Sequence, residues 1–205
     1  MADTTFVSGT VVPVDWFNDI NDNIYTQTSG IIGGTSRTLA SKLGDFVFLE
    51  DQGGVGDWNG STGTNNLTAL TTALTNYKKI RLAPGKSYWL GNITSTTALF
   101  NLTGSNRVID FNGGALVVTT SGSYQTPLFQ LDNIDGFTLI NPIISDTGYD
   151  TVTPVNTKGI TAINLNPANG IVKNVHIIGG KFSSMVAPLA CTSAAYSAEN
   201  IWFSG

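Results

Sequence analysis

The sequence predicts a mainly β protein built as a solenoid, in which short strands from successive repeats stack on one another. Thr (27), Gly (23) and Asn (19) together make about a third of the 205 residues, a composition that favours strands and tight turns over long helices. With 41% hydrophobic residues, the chain is able to build a core. From residue 107 onward, a strand-and-turn pattern recurs with the period of a stacked repeat protein.

The repeat occupies four segments, and each has alternating apolar residues that lead into a turn of Gly, Asn or Pro. These segments are 108–116, 136–144, 174–182 and 200–205. An alignment on the turn puts Gly113, Asn141, Gly179 and Gly205 together, at spacings of 28, 38 and 26 residues. One strand pattern per repeat of this length is typical of a stacked solenoid. An irregular β-sandwich would also give short strands with turn signals, and it stays as the alternative fold.

The same alignment predicts which side chains point away from the core, because successive residues of a strand point to opposite faces. One inward set contains Ile109, Phe137, Val175 and Ile201. One outward set contains Asp110, Thr138, His176 and Trp202, and the next contains Asn112, Ile140, Ile178 and Ser204. Ile140 and Ile178 are branched apolar residues that a monomer would expose. We therefore predict that they form the subunit interface of a homotrimer.

The segment that begins near Phe46 predicts a strand, a Gly-rich loop, a helix and a further strand pair. Leu67, Leu70, Leu74 and Tyr77 mark one helical stripe. Short strands are expected at residues 80–82 and 87–90, on either side of a Pro84-Gly85 turn. Since the helix is rich in Thr, we expect it to depend on packing over an apolar surface.

The first residues predict a short apolar helix followed by a linker. Asp15 is a natural N-cap, and the helix would carry Trp16, Phe17, Ile20, Ile24 and Tyr25. A helix of about ten residues is not stable alone in water. Residues 26–36 are rich in Gly, Ser and Thr and favour a flexible linker. We therefore expect these apolar side chains to be buried against another molecule, with packing on the rest of this chain as the alternative.

Charge is distributed unevenly, and the pattern argues against several classes of partner. The net charge of −4 belongs to residues 1–36, which contain four Asp residues and no Lys or Arg. These acids form either a solvated helix face or an acidic docking surface. The sequence has no basic patch that would indicate nucleic-acid binding. It also has no apolar run long enough to cross a bilayer. Cys191 is the sole cysteine, so no intrachain disulfide is expected.

No cofactor or metal is predicted from the motifs. His176 is the only histidine and has no partners for a zinc site. The run Asp57, Asn59 and Ser61 is faintly similar to a calcium loop, but Thr68 stands where the closing glutamate would be needed. No phosphate-binding loop or nucleophile elbow is present.

Two stretches resemble known families. The segment from Phe48 to Leu90 resembles the start of pectate-lyase-like, right-handed β-helix proteins, with matches at Asp51, Gly53, Val55, Gly56, Asp57, Leu82, Pro84, Gly85 and Tyr88. It departs at Gly54, at an inserted WNGSTG, and at Asn65-Asn66 where that family often has paired Asp. The opening of the chain resembles the N-terminus of bacteriophage tail fibre and tailspike proteins, with matches at Phe6, Gly9, Thr10, Val11, Asp15, Trp16, Asn18, Asp19, Asn21, Asp22 and Tyr25.

This resemblance implies a right-handed parallel β-helix with a capping α-helix, preceded by a small helical anchor. It implies a homotrimer in the virion tail, with tail or adaptor proteins and a host surface polysaccharide or receptor as partners. The virion-anchoring residues would be Trp16, Phe17, Ile20, Ile24 and Tyr25. The expected domains are an anchor and linker (1–36), a β-helix start with its cap (37–106), and β-helix rungs that look truncated (107–205).

The alternative function is that of a polysaccharide depolymerase, a lyase or a glycoside hydrolase. Glycoside hydrolysis needs two carboxylates about 5 to 10 Å apart, and the repeats offer few acids. Asp110 and His176 would be two rungs apart, nearly 10 Å at the usual strand spacing, which is too far for an acid–base pair. We therefore assign no catalytic residue within the 205 residues. Trp202 is the candidate for stacking on a sugar ring, with His176 beside it.

Overall fold

Strands of successive repeats pair in parallel in the computed structural model, which describes residues 46–121, 125–149, 158–192 and 196–205. Its elements are β1 (Val47–Phe48), a 3-10 helix (Leu49–Gln52), α1 (Leu67–Asn76), β2 (Lys79–Arg81), β3 (Ser87–Ile93), β4 (Phe100–Asp110), β5 (Ala115–Thr120), β6 (Gln125–Ile140), β7 (Ile143–Asp146), β8 (Gly159–Leu165), β9 (Val172–Ile178), β10 (Lys181–Ser183), β11 (Ala187–Cys191) and β12 (Ala198–Ser204). All strand pairs among the described residues are parallel. This pairing agrees with the predicted mainly β stack and differs from the antiparallel sheets of a β-sandwich.

The paired strands form three columns, and each repeat adds one strand segment to a column. The first column joins the start of β4 to the start of β6, and continues through β8 to β11. The second joins β1, β2, the end of β4, the end of β6, β9 and β12. The third joins β3, β5, β7 and β10. The structure is thus a β-helix-like arrangement of parallel strands.

Between the first and second columns the chain turns through residues with positive φ. The register places Asn106, Gly136, Asn174 and Asn200 in one line, with φ of 56°, 89°, 57° and 54°. Asn tolerates this left-handed conformation better than other residues that have a side chain. The Asn200 side-chain amide donates to Asn174 Oδ1 over 3.1 Å. We call this line the asparagine corner, and it lets β4 and β6 belong to two columns.

Apolar side chains stacked between the columns form the core. In the second column Ile80, Ile109, Leu139 and Ile177 follow one another, and each is at most 2% exposed. In the first column the ring of Phe129 stacks on Phe100 at 5.7 Å between ring centroids. Burial of such aligned side chains stabilises each repeat against its neighbours.

The helix α1 packs its apolar side against the first strands, as predicted. Leu70 and Leu74 are buried in the same core cluster as the strand residues. Arg107 Nη1 donates to the Leu74 carbonyl over 2.8 Å, which satisfies an oxygen that the end of the helix leaves free. The predicted stripe is wrong at Tyr77, which is the C-cap residue in an extended conformation and is 38% exposed.

Asn66, the N-cap residue of α1, connects the Gly-rich loop to β3 by hydrogen bonds. Its side chain is 1% exposed, accepts from the Val55 amide over 2.6 Å, and donates to the Trp89 carbonyl over 3.2 Å. Asn66 is one of the two residues that stand where the resembled family often has paired Asp. Its amide group both donates and accepts here, which a carboxylate does not do.

The predicted alignment of the first repeat is wrong by two residues. It placed Ile109 with Phe137 and Asp110 with Thr138, whereas the structure pairs Ile109 with Leu139 and Asp110 with Ile140. The cause is turn length, because the turn after β4 has four residues (111–114) and those after β6 and β9 have two. The later alignment is confirmed, since Ile140 pairs with Ile178 and Ile178 with Ser204.

Of the three expected domains, the structure describes parts of the second and third and none of the first. The anchor and linker, 1–36, lie outside the described residues. The expected boundary between residues 106 and 107 falls within β4, which spans Phe100–Asp110 and continues from the first column into the second.

Replacing Phe129 by Ala should lower the free energy of unfolding by about 3–5 kcal/mol, because the ring is fully buried and its loss leaves a cavity. Phe203 is the matched control, since it is 58% exposed on β12. Replacing it by Ala should change the free energy by less than about 1 kcal/mol. Chemical denaturation followed by circular dichroism measures both values, and equal losses would contradict the assignment of the core.

Candidate functional site

The outer face of the second column carries the predicted interface residues and the predicted glycan-contact residues. Two lines of side chains run across its strands. The Thr138 line consists of Lys79, Val108, Thr138, His176 and Trp202. The Ile140 line consists of Arg81, Asp110, Ile140, Ile178 and Ser204. We refer to these ten residues as the outer face.

The centre of the outer face is apolar. Ile140 and Ile178 are opposite each other on β6 and β9, as predicted. Ile140 is partly buried, and Ile178 is 40% exposed. Val108 lies nearby on β4 and is partly buried as well. Their predicted role in a subunit interface stays a prediction.

One end of the outer face is charged, and there Asp110 is held by an ion pair. Arg81 Nη2 lies 2.8 Å from Asp110 Oδ2, and Arg81 Nε donates to the same oxygen over 2.9 Å. The guanidinium also lies over the ring of Phe46, 4.3 Å from its centroid. Asp110 is only 8% exposed. Asp110 belongs to the Ile140 line and His176 to the Thr138 line. The sequence alignment placed both residues in one outward set, and that prediction is wrong.

The other end of the outer face is aromatic. His176 and Trp202 pair on β9 and β12, and their ring centroids lie 6.5 Å apart. Trp202 is 60% exposed, and His176 is exposed too. The structure thus brings together the two residues predicted for glycan contact and presents an indole ring at the surface.

A groove beside the asparagine corner was not predicted from the sequence. It has a volume of about 610 Å³ and is lined by Gly104, Ser105, Asn133, Ile134, Asp135, Gly170, Ile171, Lys173 and Tyr196. These residues come from four successive repeats. We call it the corner groove.

The charged groups of the corner groove are paired across neighbouring strands. Lys173 Nζ lies 3.2 Å from Asp135 Oδ2, and the side-chain amide of Asn174 donates to Asp135 Oδ1 over 2.7 Å. The bond from Asn174, followed by the interaction with Lys173, lowers the pKa of the Asp135 carboxyl. Asp135 therefore stays ionised to lower pH than an isolated aspartate.

Other carboxylates of the repeats stabilise turns and neighbouring strands. Asp146 is 1% exposed and accepts from the amides of Thr120 and Gly148 over 2.9 and 2.8 Å. Asp132 accepts from the backbone amide of Asn169 over 3.0 Å. These contacts connect residues 26 or more positions apart, as well as local turns, and they give both acids a structural role.

Within the described ranges, no group of three or more His, Cys, Asp or Glu side chains is placed to hold a metal ion. In the same part of the chain, no helix has the length and apolar character needed to cross a membrane.

The predicted virion-anchoring residues lie outside the described residues. They are Trp16, Phe17, Ile20, Ile24 and Tyr25. Their role stays a prediction from the sequence.

Among solved structures, the chain is similar to tailspike protein 3 of bacteriophage CBA120, with 17% identity over 89% of this chain and a TM-score of 0.34. The match covers 41% of that tailspike. No family profile matches the sequence, and no curated protein matches it.

Replacing Asn174 by Gly should raise the pKa of Asp135 towards the ordinary aspartate value, because the strongest hydrogen bond that lowers it is lost. Gly keeps the positive φ that this corner position requires. Carboxyl titration by NMR measures the change. Asp57 is the control, because its pKa is lowered by Thr64 and should not respond.

The sign of the pH effect on stability follows from the direction of this shift. The folded pKa of Asp135 lies below the unfolded one, so the contact stabilises the fold above the unfolded pKa. Its contribution disappears as the pH falls through the folded pKa. An Asp135 pKa that is unchanged in the Gly variant would contradict the assigned cause.

Proposed function

We propose that this chain is a structural subunit of a bacteriophage tail fibre or tailspike. In this proposal its N-terminal segment attaches to the virion tail, and a right-handed parallel β-helix begins the shaft that binds the host receptor. The order of parts carries the proposal. A stretch that resembles phage tail N-termini precedes a stretch that resembles a β-helix start, and strands stacked in parallel follow.

The proposal includes a homotrimer with parallel subunits. Support comes from the outer face, where Ile140 and Ile178 place adjacent apolar side chains on neighbouring strands and Ile178 is 40% exposed. A threefold axis along the strand stack would bury this line in three identical contacts, and cyclic symmetry closes the assembly. Each large apolar side chain removed from water stabilises by about 1.5–3 kcal/mol when burial is complete.

The proposal also assigns the first 36 residues to docking on the tail. The apolar residues of the predicted helix need a partner surface, because so short a helix is unstable alone. Tail or adaptor proteins would supply that surface. The four Asp residues of this segment would add acidic character to the contact.

Replacing both Ile140 and Ile178 by Asp should convert a trimer into monomers, because six carboxylates would face one another around the axis. The strand stack should remain, since both side chains point outward. Native mass spectrometry gives the assembly state, and circular dichroism gives the fold. Lys181→Asp is the control, because Lys181 is exposed on β10 in the third column and is not part of the outer face; it should leave the assembly state unchanged. An unmodified chain that is a stable monomer or dimer would contradict the trimer.

Replacing Trp16 and Phe17 by Ala should leave the strand stack folded and prevent incorporation into virions, because the docking contact loses two large apolar side chains. Binding of purified protein to particles that lack it measures incorporation. Normal incorporation of the double variant would show that these residues do not anchor the protein.

A further inference from the structure

The corner groove has the size and lining of a small-molecule site. Its volume of about 610 Å³ lies within the usual range for ligand pockets of about 300–1,000 Å³. Tyr196 is 53% exposed and Ile171 is 41% exposed, so the groove presents an aromatic ring and a branched apolar side chain to solvent. Ser105, Asn133 and Asp135 add hydrogen-bonding groups, while the position that a Cβ would take at Gly104 is open space.

The groove has almost no net charge to offer a ligand. Among the described residues that line it, the charged side chains are Asp135 and Lys173, which neutralise each other at 3.2 Å. An anionic ligand would have to compete with Asp135 for Lys173, and a cationic ligand would have to compete with Lys173 for Asp135. Both groups keep unused hydrogen-bonding capacity, because an ammonium has three donors and a carboxylate about four acceptor positions. This balance favours a ligand that is neutral and carries both donors and acceptors.

Peptide binding by strand addition is disfavoured at this place. Such binding needs an open sheet edge, but Asp135 pairs with Ser105 on one side and with Lys173 on the other. Lys173 in turn pairs with Glu199 of β12. The middle of the groove is therefore a closed sheet surface that presents side chains and not free backbone groups.

We propose that the corner groove binds an uncharged oligosaccharide, with a sugar ring packed against Tyr196. A sugar ring has an apolar face that fits an aromatic side chain, and its hydroxyl groups both donate and accept. Asp135, Lys173 and Asn133 would bind these hydroxyls. This proposal deepens the receptor-binding part of the proposed function, and it does not depend on the trimer or on the docking segment.

The test uses the full chain on an array that carries uncharged hexose oligomers and, at equal lengths, oligomers containing uronic or sialic acids. The best ligand is then titrated by calorimetry. We expect binding to at least one uncharged oligomer. Tyr196→Ala should weaken it by about tenfold or more, as is usual for a central aromatic contact. Tyr196→Phe should retain it within about threefold, because the ring remains.

Two control variants separate the groove from general effects. Tyr77→Ala removes an exposed tyrosine next to α1 and should leave affinity unchanged. Lys173→Glu should weaken binding, because it removes donors and places a second negative charge beside Asp135, while Lys181→Glu on the exposed start of β10 should not. Circular dichroism checks that each variant is folded.

The outcomes are distinct from those of the tail proposal, because array binding requires neither assembly nor virions. Binding that is weakened by Tyr196→Ala and by Lys173→Glu supports the groove as the binding site, even if the protein is monomeric. No binding to any uncharged oligomer, a preference for the acidic ones, or affinity that is unchanged in both groove variants would overturn it. Selective capture of a peptide at Tyr196 would overturn it as well.

Discussion

Left-handed backbone conformations at the asparagine corner are the constraint on which the rest of the structure depends. Positive φ is unfavourable for most residues, and Asn and Gly adopt it at the lowest cost. Asn106, Gly136, Asn174 and Asn200 adopt it at equivalent points of four repeats. Because the chain turns at the same place each time, the strands on both sides stay in register. Among the described residues six Asn and ten Gly have positive φ, so part of the high Asn and Gly content has a geometric explanation.

Register in turn determines both surfaces of the second column. Side chains of every second residue meet in the core, which brings Ile109, Leu139 and Ile177 together. The residues between them meet on the outer face, where an ion pair, two isoleucines and an aromatic pair follow one another. A shift by one residue would exchange core and surface. The same register forms the corner groove, since Asp135 and Lys173 are opposite each other on adjacent strands.

The sequence predicted features that depend on alternation within a strand, and missed features that depend on turn length or on distant partners. Ile140 and Ile178 were aligned correctly because β6 and β9 end in turns of equal length. Asp110 was misplaced because the turn after β4 is two residues longer. Its ion pair with Arg81 was missed because it depends on the pairing of β2 with β4, and β2 was not part of the predicted repeat. The corner groove is lined by residues from four repeats, so no local pattern reveals it.

Unequal repeat lengths show that the loops between the strand columns tolerate insertions. Ile140 and Ile178 are 38 residues apart, and His176 and Trp202 are 26 apart, yet both pairs meet in one column. For flexible loops, closing the longer segment costs only about 0.3 kcal/mol more than closing the shorter one. Residues added between columns therefore leave the pairing of strands almost unaffected. Such a scaffold is able to acquire new surface loops at little thermodynamic cost, while the register that aligns its outer face is preserved.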